Sequence, residues 1–187
     1  MKCPSCAQPL AAPEARCPQC KVTLQKLDMK FGMVPRHSQF LTDRTDTLSL
    51  SEMKRLREAL RRFEVMFPQS LFSVFVGELP AGTLVGEYAF WLMNRARFSS
   101  LERTLGENFN TLLVIDLHAQ AAALMTGYGL ESHLTEPDLQ GVLEEFSAAM
   151  RGGNLAAAIH AGMEGLSRRM RESSLRAPRP ELREVEW

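Results

Sequence analysis

The chain has 187 residues, 45% of them hydrophobic and 24% charged. That suffices for one domain with a small appendage and is too ordinary for a disordered, collagenous or rod-like protein. Lys plus Arg and Asp plus Glu are both 22, and zero formal net charge excludes the overall basic field that drives non-specific nucleic-acid binding.

The chain opens Met1-Lys2-Cys3-Pro4-Ser5-Cys6, without the apolar core of a secretory signal. No segment reaches the roughly 18 uncharged apolar residues that a membrane-spanning helix needs. The expectation is a soluble, cytoplasmic protein, and a reducing compartment favours metal binding over disulfides. All four cysteines fall at the start, as Cys3-x2-Cys6 and Cys17-x2-Cys20. Each pair suits a tight turn with backbone amides aimed at the sulfurs, and two such turns offer four thiolates to one tetrahedral Zn2+. A redox C-x2-C pair usually occurs once, beside a helix start, so the doubled motif favours zinc. Residues 1–24 therefore read as a zinc ribbon, similar to those at the ends of many bacterial proteins. With all four positions filled by protein, the metal is structural.

Residues 25–40, with Gly32 and Pro35, show no sustained period and read as a linker. From Leu48 the pattern is helical: Met53, Leu56, Leu60, Phe63 and Phe67 recur every three or four residues until Pro68. Lys54, Arg55, Arg57, Glu58, Arg61 and Arg62 take the solvent side of that helix. The apolar run 71–76, ended by Gly77, suits a buried strand. After a turn through Pro80, Ala81 and Gly82, residues 83–97 read as a helix with a core stripe of Leu84, Tyr88, Trp91 and Leu92. Residues 112–117 form a second buried strand and 119–126 a third, returning as a hairpin into a Gly127-Tyr128-Gly129 turn. Two helices follow, 137–150 and 154–171, divided at Gly152-Gly153, and residues 173–187, with Pro178 and Pro180, read as an extended or disordered tail. A strand, helix, strand order makes the first two strands parallel, with helices on both faces. The expected class is α/β, a three-layer α/β/α sandwich.

Four segments, Leu41-Thr42-Asp43-Arg44-Thr45-Asp46-Thr47-Leu48-Ser49, Gly86-Glu87-Tyr88-Ala89, Thr126-Gly127-Tyr128-Gly129-Leu130-Glu131, and Arg151-Gly152-Gly153-Asn154 with Ala161-Gly162, together resemble the TPM domain family. The resemblance implies a TPM-like domain over residues 41–172 with the same sandwich fold. The family includes proteins described as acid phosphatases of photosystem repair, calcium binders and accessory proteins of membrane complexes. This chain departs from it at Asn108-Phe109-Asn110, where an Asp-Asn/Asp-Gly turn is usual, at Arg97-Phe98, where a Trp is expected, and at Asn154, where the family has Asp. Carboxylates are thereby thinned.

The candidates that the resemblance carries over for Ca2+ or Mg2+ are Asp43 and Glu131. Asp138 joins them from the acidic helix start, and Asp46 and Glu136 can add oxygens to the six to eight such an ion takes. Topology argues against a shared site, because Asp43 belongs at one end of the parallel strands and Glu131 at the other. The competing roles are turn residue for Asp43, turn acceptor for Glu131 and helix-start charge for Glu136 and Asp138. Asp116 and His118 share a face if both lie in a strand, or flank a hairpin turn. No catalytic residue is assigned, since elbow, phosphate-loop and dinucleotide motifs are missing. The leading expectation is a zinc-ribbon protein whose TPM-like domain serves as a binding or accessory module for an unidentified protein partner. The alternatives are a cation-assisted phosphatase and nucleic-acid binding through the ribbon and the basic helix.

Overall fold

All the apolar runs read as strands lie in one sheet. In the computed structural model, which describes residues 2–11, 14–96, 98 and 109–176, the strand order is β1 (Leu41–Asp43), β2 (Phe72–Gly77), β3 (Thr111–Asp116), β4 (Ala121–Thr126). β2 and β3 are parallel, Phe72 opposite Thr111 and Gly77 opposite Asp116. Every residue of both is buried, as central strands covered on both faces require. β4 turns back antiparallel, with Thr126 opposite Thr111 and Ala121 opposite Asp116. β1 was not expected: it runs parallel to β2, Leu41 opposite Val74, and three residues are too few for an alternation to show in sequence.

Side chains alternate across the sheet as the pleat demands. Val74, Val76, Leu113 and Ile115 enter one core, and Phe75, Leu112 and Val114 the other. Helix α2 (Leu50–Met66), helix α4 (Glu136–Met150) and helix α5 (Leu155–Arg176) cover the first face. Ser49 and Glu52 close a reciprocal capping box at the start of α2. Its Leu56, Leu60 and Phe63 are buried while the basic residues face outward. Asn154 Oδ1 accepts from Ala157 N at 2.8 Å, capping α5. An amide does this as well as a carboxylate, so the change from the family's Asp preserves a structural role.

Helix α1 (Leu24–Phe31) and helix α3 (Val85–Arg95) cover the other face. α1 corrects the reading of residues 25–40 as linker. Thr23 Oγ1 caps it by accepting from Lys26 N at 3.2 Å, and Gly32 ends it at φ 73°. Its Leu27 is buried against α3. α3 stops at Arg95, and its expected stripe is buried at Tyr88, Trp91 and Leu92 but not at Leu84, the 52% exposed N-cap. The tail reading is corrected over its first residues, because α5 continues to Arg176; residues 177–187 and Arg97 lie outside the described residues.

Candidate functional site

The two C-x2-C turns are built alike, fourteen residues apart in sequence. Cys3 N donates to Gln8 O and Cys17 N to Val22 O, at 2.9 and 3.0 Å. Ala7 N and Lys21 N close back onto Cys3 O and Cys17 O, and both Ala7 (φ 57°) and Lys21 (φ 60°) are left-handed. This doubled knuckle brings the Sγ atoms of Cys3, Cys6, Cys17 and Cys20 within 4.8 Å of one another, with Cys3–Cys20 at 3.6 Å and Cys6–Cys17 at 3.8 Å. Four sulfurs about 2.3 Å from a tetrahedral ion stand about 3.8 Å apart, so the donor set fits zinc in identity, number and spacing. The amide of Cys20, against burial and helped by that of Gln19, pulls the Cys17 thiol down to about 6. Burial holds Cys3 up at about 12 despite the amides of Cys6 and Ser5. Four thiolates this close repel one another unless a cation sits among them.

The ribbon is seated on the domain. Lys2 Nζ meets Glu136 Oε1 at 2.9 Å, and a Cβ on Gly86 would lie 3.4 Å from Pro4 O. Glu87, at the start of α3, is 6% exposed. Burial pushes its carboxyl up, but hydrogen bonds from Lys30 and Ser5, with the lysine's charge, leave it below the usual carboxylate value. Lys30 lies on α1, which also pairs Asp28 with Arg95 and accepts Trp91 Nε1–H on Asp28 Oδ1 at 3.0 Å. Phe31 packs its ring 5.1 Å from Tyr88 and 5.2 Å from Trp91. Glu87 is thus the tie between ribbon, α1 and α3. A signal for it existed in sequence: an acid within the apolar stripe Leu84, Tyr88, Trp91 has to be buried, and a buried carboxylate needs partners.

The acidic candidates are scattered. Asp43 ends β1 level with Val76 and Ile115, whereas Glu131 follows Thr126, which stands level with Thr111 at the other end of β3. Four residues along and three strands across put those strand ends about 19 Å apart. Asp43 is also fully engaged, Oδ1 accepting from Thr45 N (2.9 Å) and Thr45 Oγ1 (2.7 Å) and Oδ2 from Leu48 N (2.8 Å). Burial raises its carboxyl, but the Leu48 and Thr45 bonds outweigh that and hold it low. Asp138 closes a capping box with Thr135, Glu136 is paired with Lys2, and Asp46 occupies a turn at φ 53°. Asp116 is the last residue of β3, and its Oδ1 accepts from the amides of His118, Ala119 and Leu79 at 3.1, 3.2 and 3.4 Å. It staples the hairpin and does not orient His118 as a base. Among the described residues the four cysteines are the sole cluster of three or more metal-ligating side chains.

Glu131 instead faces a groove of about 960 Å³ between the ribbon and the outer edge of β4. One wall is α3, through Phe90 and Met93, and the other is the entry to α4, through Leu134 just before its N-cap and Leu139 in its first turn. Leu10 and Val22 of the ribbon region roof it, while Tyr128 and Glu131 stand at one end. Burial and the neighbouring Glu131 charge raise the Tyr128 hydroxyl above its ordinary value. The volume is at the upper end for small-molecule sites, and the walls are chiefly apolar. Among the described residues no helix is long and apolar enough to cross a membrane.

Comparison with protein families matches residues 41–169 to the TPM domain. Among curated proteins none matches the chain. Solved structures share the fold. The BA42 protein of the psychrophilic bacterium Bizionia argentinensis aligns with a TM-score of 0.59 and 13% identity, over 70% of this chain and 86% of that one. The N-terminal domain of a protein from P. gingivalis gives 0.58 and 21%, over 73% and 84%. That of the cg2496 protein from Corynebacterium glutamicum gives 0.54 and 14%, over 82% and 93%.

Proposed function

The chain belongs to the TPM domain family, and from that premise we propose that it is a binding module, a TPM domain whose zinc ribbon helps form a docking groove for a protein partner in the cytoplasm. The observation that carries this reading is the groove itself. It is large, apolar-walled and built jointly by the ribbon and the domain, whereas the acids a cation-assisted phosphatase would gather are spent on turns and caps or lie at opposite ends of the sheet. Zinc in this reading holds the ribbon's shape and thereby the roof of the groove.

Two measurements test it. A photo-crosslinking side chain at Tyr128, exposed and at the groove's end, is expected to trap one protein in the source cells and to lose it when Cys3 and Cys17 are changed to Ser. Turnover of p-nitrophenyl phosphate with millimolar Mg2+ or Ca2+ is expected to stay at background, and neither ion is expected to raise the melting temperature. Turnover abolished by Asp43→Ala or Glu131→Ala would overturn the reading in favour of the phosphatase. A salt-dependent mobility shift with nucleic acid would favour the exposed basic side of α2 instead.

A further inference from the structure

The floor of the groove is a sheet edge. β4 is the last strand of the sheet, and Gly127 N donates to Asn110 O at 2.8 Å, which makes Asn110 and Gly127 a hydrogen-bonded pair. Such pairs alternate along an antiparallel ladder. The next ones are therefore Leu112 with Met125, Val114 with Ala123 and Asp116 with Ala121. The N–H and C=O groups of Ala122, Leu124 and Thr126 then point away from β3, Leu124 and Thr126 along the groove floor and Ala122 on the same edge just beyond it. Among the described residues none gives them a backbone hydrogen bond. The bridges of the ribbon's described residues are internal, Lys2 with Pro9 and Arg16 with Thr23.

Proteins protect sheet edges with charges, prolines, bulges or very short strands. β1, at the other edge, has three residues. β4 has six, Ala-Ala-Ala-Leu-Met-Thr, with no charge and no proline. Resting on the groove reading above, we infer that the groove takes an extended segment of a partner polypeptide as a fifth strand beside β4. Side chains of an added strand alternate between Phe90 and Met93 on the α3 wall and Leu134 and Leu139 on the α4 wall, so both sets are apolar over about five residues. At the Thr126 end, the Glu131 carboxylate is exposed and has no ion-pair partner among the described residues. The segment is accordingly a short, proline-free apolar stretch that ends in Lys or Arg. A second copy of this chain is a poorer occupant, since its own β4 lies under its own ribbon.

The test is selection of a random linear dodecamer library displayed on phage against the zinc-loaded full chain, with the chosen peptides then measured by fluorescence anisotropy. Ala122→Pro removes an outward N–H without touching the β3 ladder, a position where an edge strand admits proline. It is expected to weaken binding at least tenfold with the circular dichroism unchanged. Methylating alternate backbone nitrogens of the peptide, which leaves the protein intact, is expected to abolish binding. Glu131→Gln should cost about three- to tenfold and remove the salt dependence of a Lys-ended peptide. Binding insensitive to both Ala122→Pro and N-methylation, yet lost in Leu10→Arg on the roof, would overturn strand addition and leave the groove reading standing. Selection of no peptide would overturn both. A concentration-dependent dimer abolished by Ala122→Pro would assign the edge to a second copy and overturn the proposal.

Discussion

Leu27→Ala measures whether helix α1 is a structural member of the domain. Leu27 is 2% exposed and packs in the cluster formed by Tyr88, Trp91 and Leu92 of α3. The substitution removes a buried isobutyl group and leaves a cavity, while alanine is at least as good a helix former as leucine. Packing alone then accounts for the loss, which for a leucine this buried is about 2–4 kcal/mol. In a chain of this length about 3 kcal/mol lowers Tm by about 6–12 °C. The assay is urea unfolding with zinc in excess, so that ribbon occupancy is constant between variants, and Met29→Ala is the internal control. Met29 is on the same helix but 80% exposed, and its change should stay within about 0.5 kcal/mol. A Leu27→Ala loss no larger than that of Met29→Ala would refute the packing of α1 on α3 and return residues 25–40 to a linker.

Glu87→Gln is expected to cost about 1–2 kcal/mol at neutral pH, through its bonds from Lys30 and Ser5. Because the folded carboxyl titrates below its ordinary value of 4.5, the difference between wild type and variant is full above that pH and shrinks as pH falls through the folded value, which urea curves from pH 3 to 7 would show. Asp43→Asn retains one acceptor oxygen where three donors converge on two. It should lose about 1–3 kcal/mol in thermal unfolding without altering any response to Ca2+ or Mg2+. Metal analysis should find one zinc per chain. Its removal by a chelator should speed amide exchange in the knuckles and at the start of α3, where Pro4 and Ser5 are seated.

Much of the fold was legible because long periods leave strong traces. α2 runs nearly five turns with a sustained apolar stripe, and β2 and β3 are uninterrupted apolar runs bounded by turn residues. β1 and α1 were missed for one reason, that three residues or two turns hold too few positions for a period. α1 still carried its end marks, Thr23 before it and Gly32 after it. The Gly127-Tyr128-Gly129 turn reads in sequence as flexible backbone; the fold adds a steric reason at Gly129, where a Cβ would stand 2.8 Å from the Phe109 ring, a contact between residues twenty positions apart.

Sequence by itself determined the four-cysteine cluster, a donor set compatible with zinc, since spacing within a knuckle is local, and it determined the layered α/β/α class, since burial of central strands imprints itself on composition. Tertiary structure decided what the acids do. Asp43 and Glu131 look alike in sequence, yet one is consumed by its own loop and the other, without an ion-pair partner among the described residues, stands at the end of a groove. It also decided that the ribbon, α3 and the edge of β4 together enclose that groove. Such a site has no local signal, because its roof and one of its walls come from segments more than a hundred residues apart, and it was the packing of Lys2 on Glu136 and Ser5 on Glu87 that brought them together.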